Sequence, residues 1–258
     1  MRRGTAGTYL WLAIGAFIIM GSGRLAAGSP DGGAGSSQPR RVIVPRLAGA
    51  VTIDGLLDEP VWQQAAKLKP FVPNSGRGAD SEATEVRVWY DGEALHIGWL
   101  CDDRDIQATM SARDSRFWEE EVAEFFLAPT RLDEYFELQW NPLGGIFDAI
   151  IRNQIGADGK SVKFTGDWSY TAKRMRAAVR VDGTVANSGD QDRGWIVEAV
   201  VPFSDLGVGA PEPGTVWRGN FYRFSRGKND PEQQLAWSPT RLRGFHEPTR
   251  FGYLEFGK

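Results

Sequence analysis

Period-two alternation of apolar and polar side chains recurs along this chain and restricts it to sheets with at least one covered face. In Glu85–Tyr90 the residues Val86, Val88 and Tyr90 share a face; in Ala94–Cys101 Leu95, Ile97, Trp99 and Cys101 share one. Asp91-Gly92-Glu93 joins the two runs as a turn, so they read as a hairpin whose alternating residues enter a core. Val122–Ala128 and Tyr135–Asn141 read as a second hairpin around a Pro129–Glu134 loop, and Ile146–Asn153 continues that sheet. Met175–Val181 and Gly194–Val201 make a third pair, with Asp182-Gly183 as turn signal and Pro202 as stop. Ser204 reads as the cap of a single helical turn at Asp205-Leu206. With Val42–Val44, Val216–Ser225 and Gly252–Phe256 this gives about ten strands and almost no helix, the pattern of an antiparallel β-sandwich, jelly-roll or immunoglobulin-like.

The 258 residues suffice for one large all-β domain, and no internal repeat or second domain is visible. Residues 1–27 read as a signal peptide: Arg2 and Arg3, then the apolar run Tyr9–Met20, then the small-residue exit Leu25-Ala26-Ala27. An uncleaved anchor is the competing reading. Residues 28–41 form a Gly/Ser/Pro-rich linker, and residues 42–258 the sandwich domain. The expected location is therefore secreted or periplasmic. Loss of Arg2, Arg3 and Arg24 with the leader takes the formal charge from −3 to −6, which excludes a nucleic-acid footprint. Cys101, the single cysteine, has no disulfide partner and reads as a buried thiol.

Val51–Trp62 combines a β-branched run, the Asp54-Gly55 turn pair, Asp58 at an N-cap position and Pro60 in a first helical turn. Val61, Trp62, Ala65 and Ala66 then give a short helix one apolar side, a plug for the end of a sandwich. Ile53-Asp54-Gly55, Asp58-Glu59 and Trp62 resemble the opening signature of the family 9 carbohydrate-binding modules. Three later blocks agree in order and spacing. They are Val86–Asp103, then Trp118–Leu127 with Tyr135–Asn141, then Trp237-Ser238-Pro239 with Phe245-His246-Glu247-Pro248 and Phe251-Gly252. The resemblance runs from about Val42 to the C-terminus.

Trp118 stands among charges, after Arg113–Phe117 and before Glu119-Glu120-Glu121, which favours an exposed ring able to stack on a pyranose. The competing reading folds it back onto the core. The resemblance implies that Trp118 and Phe245 are two plates of a sugar clamp, with Phe245 where some members carry Trp. It also implies polar contacts at the rim from Glu124, Gln139, Asn141 and His246, with Gln139 standing where a basic side chain is found. Glu121-Val122-Ala123-Glu124 departs from the more usual Asp-Ser-Val-Glu. Asp54, Asp58, Asp102, Asp103 and Asp105 are candidate ligands for the structural Ca²⁺ that such modules often hold, since hard oxygens suit that ion.

His96 is expected to face outward, and with His246 it offers no zinc spacing. Nucleophile-elbow and phosphate-loop patterns are absent. The expected function is a non-catalytic module binding an oligosaccharide or polysaccharide, beside a partner hydrolase. The alternatives are a glycoside hydrolase built on paired carboxylates and a haem-binding relative drawing on Met110, Met175, His96 or His246.

Overall fold

The computed structural model describes residues 38–78, 82–228, 232–242 and 244–258. The expected leader, residues 1–27, and most of the linker lie outside the described residues. Among the described residues no helix is long and apolar enough to cross a membrane.

The strands are β1 (Arg41–Val44), β2 (Ala66–Leu68), β3 (Val72–Pro73), β4 (Thr84–Tyr90), β5 (Ala94–Asp102), β6 (Val122–Arg131) and β7 (Glu134–Trp140). They continue as β8 (Ile146–Ile155), β9 (Ser161–Asp167), β10 (Arg176–Asp182), β11 (Gly194–Pro202), β12 (Val216–Ser225), β13 (Gln233–Ala236) and β14 (Gly252–Phe256). One α-helix, α1 (Pro60–Gln64), precedes β2. Pairing sorts the strands into two sheets. The larger has nine, in the order β1-β14-β12-β6-β7-β8-β9 with β13 and β3 branching from β12; the smaller runs β10-β11-β5-β4-β2.

The two sheets pack face to face as a β-sandwich. Ala123, Phe125, Leu127, Leu138, Trp140 and Phe221 of the larger sheet meet Val86, Val88, Leu95, Ile97, Trp99 and Val197 of the smaller one. The faces expected for both hairpin strands β4 and β5 are the faces observed, and Cys101 is buried among them.

Several expectations are corrected. Fourteen strands replace about ten among the described residues, because β2, β3, β9 and β13 are short or lack a buried alternating face. The sheets are not wholly antiparallel: β1 runs parallel to β14. The Pro129–Glu134 loop shrinks to a turn at Leu132-Asp133, where Arg131 pairs with Glu134 and its Nε donates to Asp133 at 2.9 Å. Phe203–Gly207 is a hydrogen-bonded turn with no helix. Asp58 is exposed and does not cap α1; Glu59 occupies that position without a side-chain cap, its Oε1 accepting from Thr52 N at 2.8 Å instead.

His96 is also corrected: its direction away from the inter-sheet core is right, but its exposure is not. The opening segment lays Leu57, Val61, Trp62 and Ala65 over Trp89 on the outer face of the smaller sheet. His96 is buried there, stacked on Trp89 at 3.6 Å between centroids and bonded through Nε2 to Asp91 Oδ2 at 2.9 Å. Burial lowers its pKa against the pull of Asp91. The Asp54-Gly55 turn forms as expected, with Gly55 at φ +83. Its two amides are accepted by one carboxylate oxygen of Glu198, at 3.0 and 3.2 Å, which ties the opening segment to β11.

Candidate functional site

The outer face of the larger sheet carries the residues picked from the sequence. Alternation along β6 sends Ala123, Phe125 and Leu127 inward and Val122, Glu124 and Phe126 outward. Register then aligns four residues directly across four strands: Tyr222 of β12, Glu124 of β6, Gln139 of β7 and Phe147 of β8. Glu137, two residues before Gln139, shares that face. Its Oε1 accepts from Gln139 Nε2 at 2.6 Å.

This row has an aromatic ring above each end. Phe245 lies flat on Tyr222, centroids 4.1 Å apart and planes at 11°. Trp118 stands edge-on to Phe147 at 5.3 Å and 81°. Three inter-strand steps put Tyr222 and Phe147 about 14 Å apart at the backbone. The two rings therefore flank a polar stretch made of Glu124 and Gln139.

Local contacts hold both ends in place. Phe117 is fully buried over Gly145, where an added Cβ would come within 2.4 Å of its ring, and this fixes the 3-10 turn that presents Trp118. Glu120 accepts from the amides of Thr109 and Met110, at 2.8 and 3.1 Å, and Asn141 Nδ2 donates to Met110 O at 2.6 Å. At the other end the Tyr222 hydroxyl donates to Phe245 O at 3.1 Å, and Thr240 Oγ1 donates to Gly244 O at 2.9 Å.

The floor is dry and acidic. Glu124 is 2% exposed, Glu137 5% and Gln139 0%. Burial raises the Glu124 carboxyl well above the usual range, and the neighbouring Glu137 charge adds to it. Burial likewise pushes Glu137 up to about 8. Gln139 Oε1 is buried with no hydrogen-bond partner in the protein. An acidic pair of this kind can donate one proton and accept several, and an orphaned amide oxygen adds another acceptor. Such groups match sugar hydroxyls, each of which both donates and accepts.

The six expected sugar-contacting residues do not share one role. Glu124 and Gln139 form the floor rather than a rim. Trp118 is half-buried, and Phe245 is 5% exposed with one ring face covered by Tyr222, so it is not the open plate expected of it. Asn141 is spent on structure: its Oδ1 accepts from Gly145 N at 2.8 Å while its amide holds Met110. His246 stacks on Phe164 at 3.8 Å, and its Nδ1 shares a 2.7 Å hydrogen bond with the Tyr135 hydroxyl. Burial pulls the His246 imidazole down to about 3, so it is neutral at ordinary pH.

Sequence reasoning missed Glu137, Tyr222, Phe147 and Trp168. Glu137 was within reach, being one strand period from Gln139. Tyr222 and Phe147 required the cross-strand register. Trp168 follows β9, a strand without a buried face to reveal it.

The five candidate calcium ligands are spread among other partners. Asp54 Oδ1 accepts from Leu56 N at 2.9 Å; Asp58 and Asp102 are exposed. Asp103 binds Arg223 Nη2 at 2.9 Å, and Asp105 accepts from Lys228 N and Gln107 Nε2 at 2.8 and 2.6 Å. Among the described residues no three His, Cys, Asp or Glu side chains gather as a metal site. His96 and His246 lie on opposite outer faces of the sandwich, which prevents them from sharing one haem.

Solved structures share this architecture. A candidate carbohydrate-binding protein from Bacteroides uniformis aligns at TM-score 0.62 and 19% identity, covering 85% of this chain and 100% of its own. A family 9 carbohydrate-binding module from Caldicellulosiruptor kristjanssonii in complex with cellotriose aligns at 0.57 and 15%, covering 84% and 94%. One from the same organism in complex with glucose aligns at 0.56 and 16%, covering 85% and 97%. At these identities the likeness is one of fold. No curated protein matches the chain. The family description "Carbohydrate-binding family 9" matches residues 79–256, and the chain belongs to that family.

Proposed function

We propose that the protein is an exported, non-catalytic module that binds an oligosaccharide or polysaccharide on the outer face of its larger sheet. The observation carrying this reading is the row Tyr222–Glu124–Gln139–Phe147, with Phe245 and Trp118 above its ends. A pyranose has apolar C–H faces and a rim of hydroxyls. Aromatic rings would take the faces, at about 25 cal/mol per Å² removed from water, and Glu124, Glu137 and Gln139 the hydroxyls. Because this floor is buried, sugar entry displaces the Phe245 ring from Tyr222 or shifts Trp118. The fold relatives bound to glucose and cellotriose support a glucan ligand. Residues 1–27 support export, and a partner hydrolase would supply the chemistry that this chain's binding face directs to its substrate.

Isothermal titration with glucose, cellobiose, cellotriose, and xylo- and manno-oligosaccharides tests the reading. Heat with at least one ligand, lost in Trp118→Ala, is expected; no heat with any of them defeats it. N-terminal sequencing of the exported protein checks the leader, with a start near Gly28 expected. Reducing-sugar release by the pure protein would replace the binding module with a hydrolase, for which Glu124 and Glu137 are the nearest carboxylate pair.

A further inference from the structure

Strand β9 is an edge of the larger sheet, and its two sides differ in chemistry. Ser161, Lys163, Thr165 and Asp167 alternate with Val162, Phe164 and Gly166. Trp168 continues the second set one step beyond the strand. Val162 is 65% exposed, Phe164 38% and Trp168 41%, a run of apolar surface along this edge of the sheet. Leaving such a stripe in water forfeits burial energy, and an apolar free edge invites aggregation.

Trp168 is held in place rather than loosely exposed. Its indole meets Trp118 at 5.7 Å and 67°, and Phe147 at 5.6 Å and 84°. It also lies over Gly166, where an added Cβ would come within 2.6 Å of its Nε1. Gly166 is therefore its seat, and keeps the stripe low between Trp168 and Phe164. Phe164 is steadied by its stack on His246. A cavity of about 530 Å³ at this edge belongs mainly to the other side of β9, where Lys163 and Thr165 line it with Arg152 and Glu134.

We infer that this stripe, from Trp118 across Trp168 to Phe164, is a second binding surface for successive pyranose rings of a linear oligosaccharide. Two pre-positioned rings aligned along a strand suit a ligand that repeats the same flat C–H face. Charged Lys163 and Asp167 on the same strand disfavour pairing with a second copy. The inference rests on sugar binding between Trp118 and Phe245, and extends it to chains longer than that site accommodates.

A length series of cello-oligosaccharides from two to six units, titrated against the whole protein, is the test. Affinity is expected to rise about tenfold over the series, or ~1.4 kcal/mol. Trp168→Ala and Gly166→Val are expected to abolish the rise, and Trp168→Phe to keep most of it. A wild type that binds cellobiose and cellohexaose equally well overturns the inference while leaving the primary site intact. So does a rise that survives Trp168→Ala. Absence of binding at every length defeats both readings. A concentration-dependent dimer that Trp168→Ala dissolves, seen by light scattering, would assign the stripe to a second copy and overturn the inference too.

Discussion

Arg223 is the most consequential buried charge. Its side chain is fully buried and joins the two sheets: Nη1 donates to Thr84 Oγ1 at 3.1 Å and Asp102 O at 2.9 Å, and Nη2 to Asp103 at 2.9 Å. Glu121 lies in the same cluster with its carboxyl pushed up to about 10, by burial first and by its hydrogen bond to Asp103 next. One acidic proton is thus retained there, which limits the negative charge that Arg223 must balance. Removing one partner of a buried ion pair strands the others, so Arg223→Met is expected to lower the unfolding free energy by ~3–5 kcal/mol in urea titration. Glu124 behaves in the opposite way. Glu124→Gln removes a carboxyl that burial and Glu137 both penalise when ionised, so stability at pH 8 is expected to rise by ~1 kcal/mol or more. Sugar affinity in the same variant is expected to fall about tenfold for loss of the carboxyl's hydrogen bond to a sugar hydroxyl, a split that titration calorimetry and urea melts read separately. Glu124 was legible from period two along β6. The closure of Phe245 onto Tyr222 was not, because nothing local to Phe245 records which strand lies beneath it.

The opening segment is the element whose sequence and packing agree best. Asp54-Gly55 turns, Pro60 starts α1, and Trp62 is fully buried against Trp89 at 6.0 Å and 79°. Its seat is Gly98, where an added Cβ would lie 2.5 Å from Leu57 Cδ1. Gly98→Val is therefore expected to lift this segment off the smaller sheet, costing ~1–3 kcal/mol. Limited proteolysis should then cut within residues 46–66 sooner than in the wild type; an unchanged digestion pattern would refute this. The segment also explains the misjudged His96. Alternation reports which side of a sheet a residue occupies, whereas exposure depends on what another stretch of chain lays over that side. β9 illustrates the converse: its alternation is regular, yet neither face is covered, and no strand was expected there.

For the whole molecule, six carboxyls with raised pKa, Glu247 among them, outweigh their neighbours in setting the response to pH. Burial lifts Glu137 to about 8 and Glu198 and Asp148 to about 6, and raises Glu121 and Glu124 further. The native state then holds protons that the unfolded chain releases near pH 4.5, so stability falls as pH rises through that window. Unfolding free energy is expected to be ~2 kcal/mol or more higher at pH 5 than at pH 8, by urea melts at each pH. A flat or rising profile would refute it. Groups of the other sign offset part of this: His96 and His246, lowered by burial, cost stability as pH falls below about 6.5, and Glu85, where Lys69 and Arg87 overcome the effect of burial, contributes stability that is lost only as pH falls through its lowered pKa. The sequence alone determined the sandwich and its main hairpins, because alternation and turn chemistry are local and repeat every few residues; Gln139 was singled out only through the family resemblance. Which outer face is covered, which aromatic ends over which strand, and where Trp168 emerges were decided by register between strands distant in the chain. Those contacts depend on closing long loops and on the packing of surfaces that no single stretch contains.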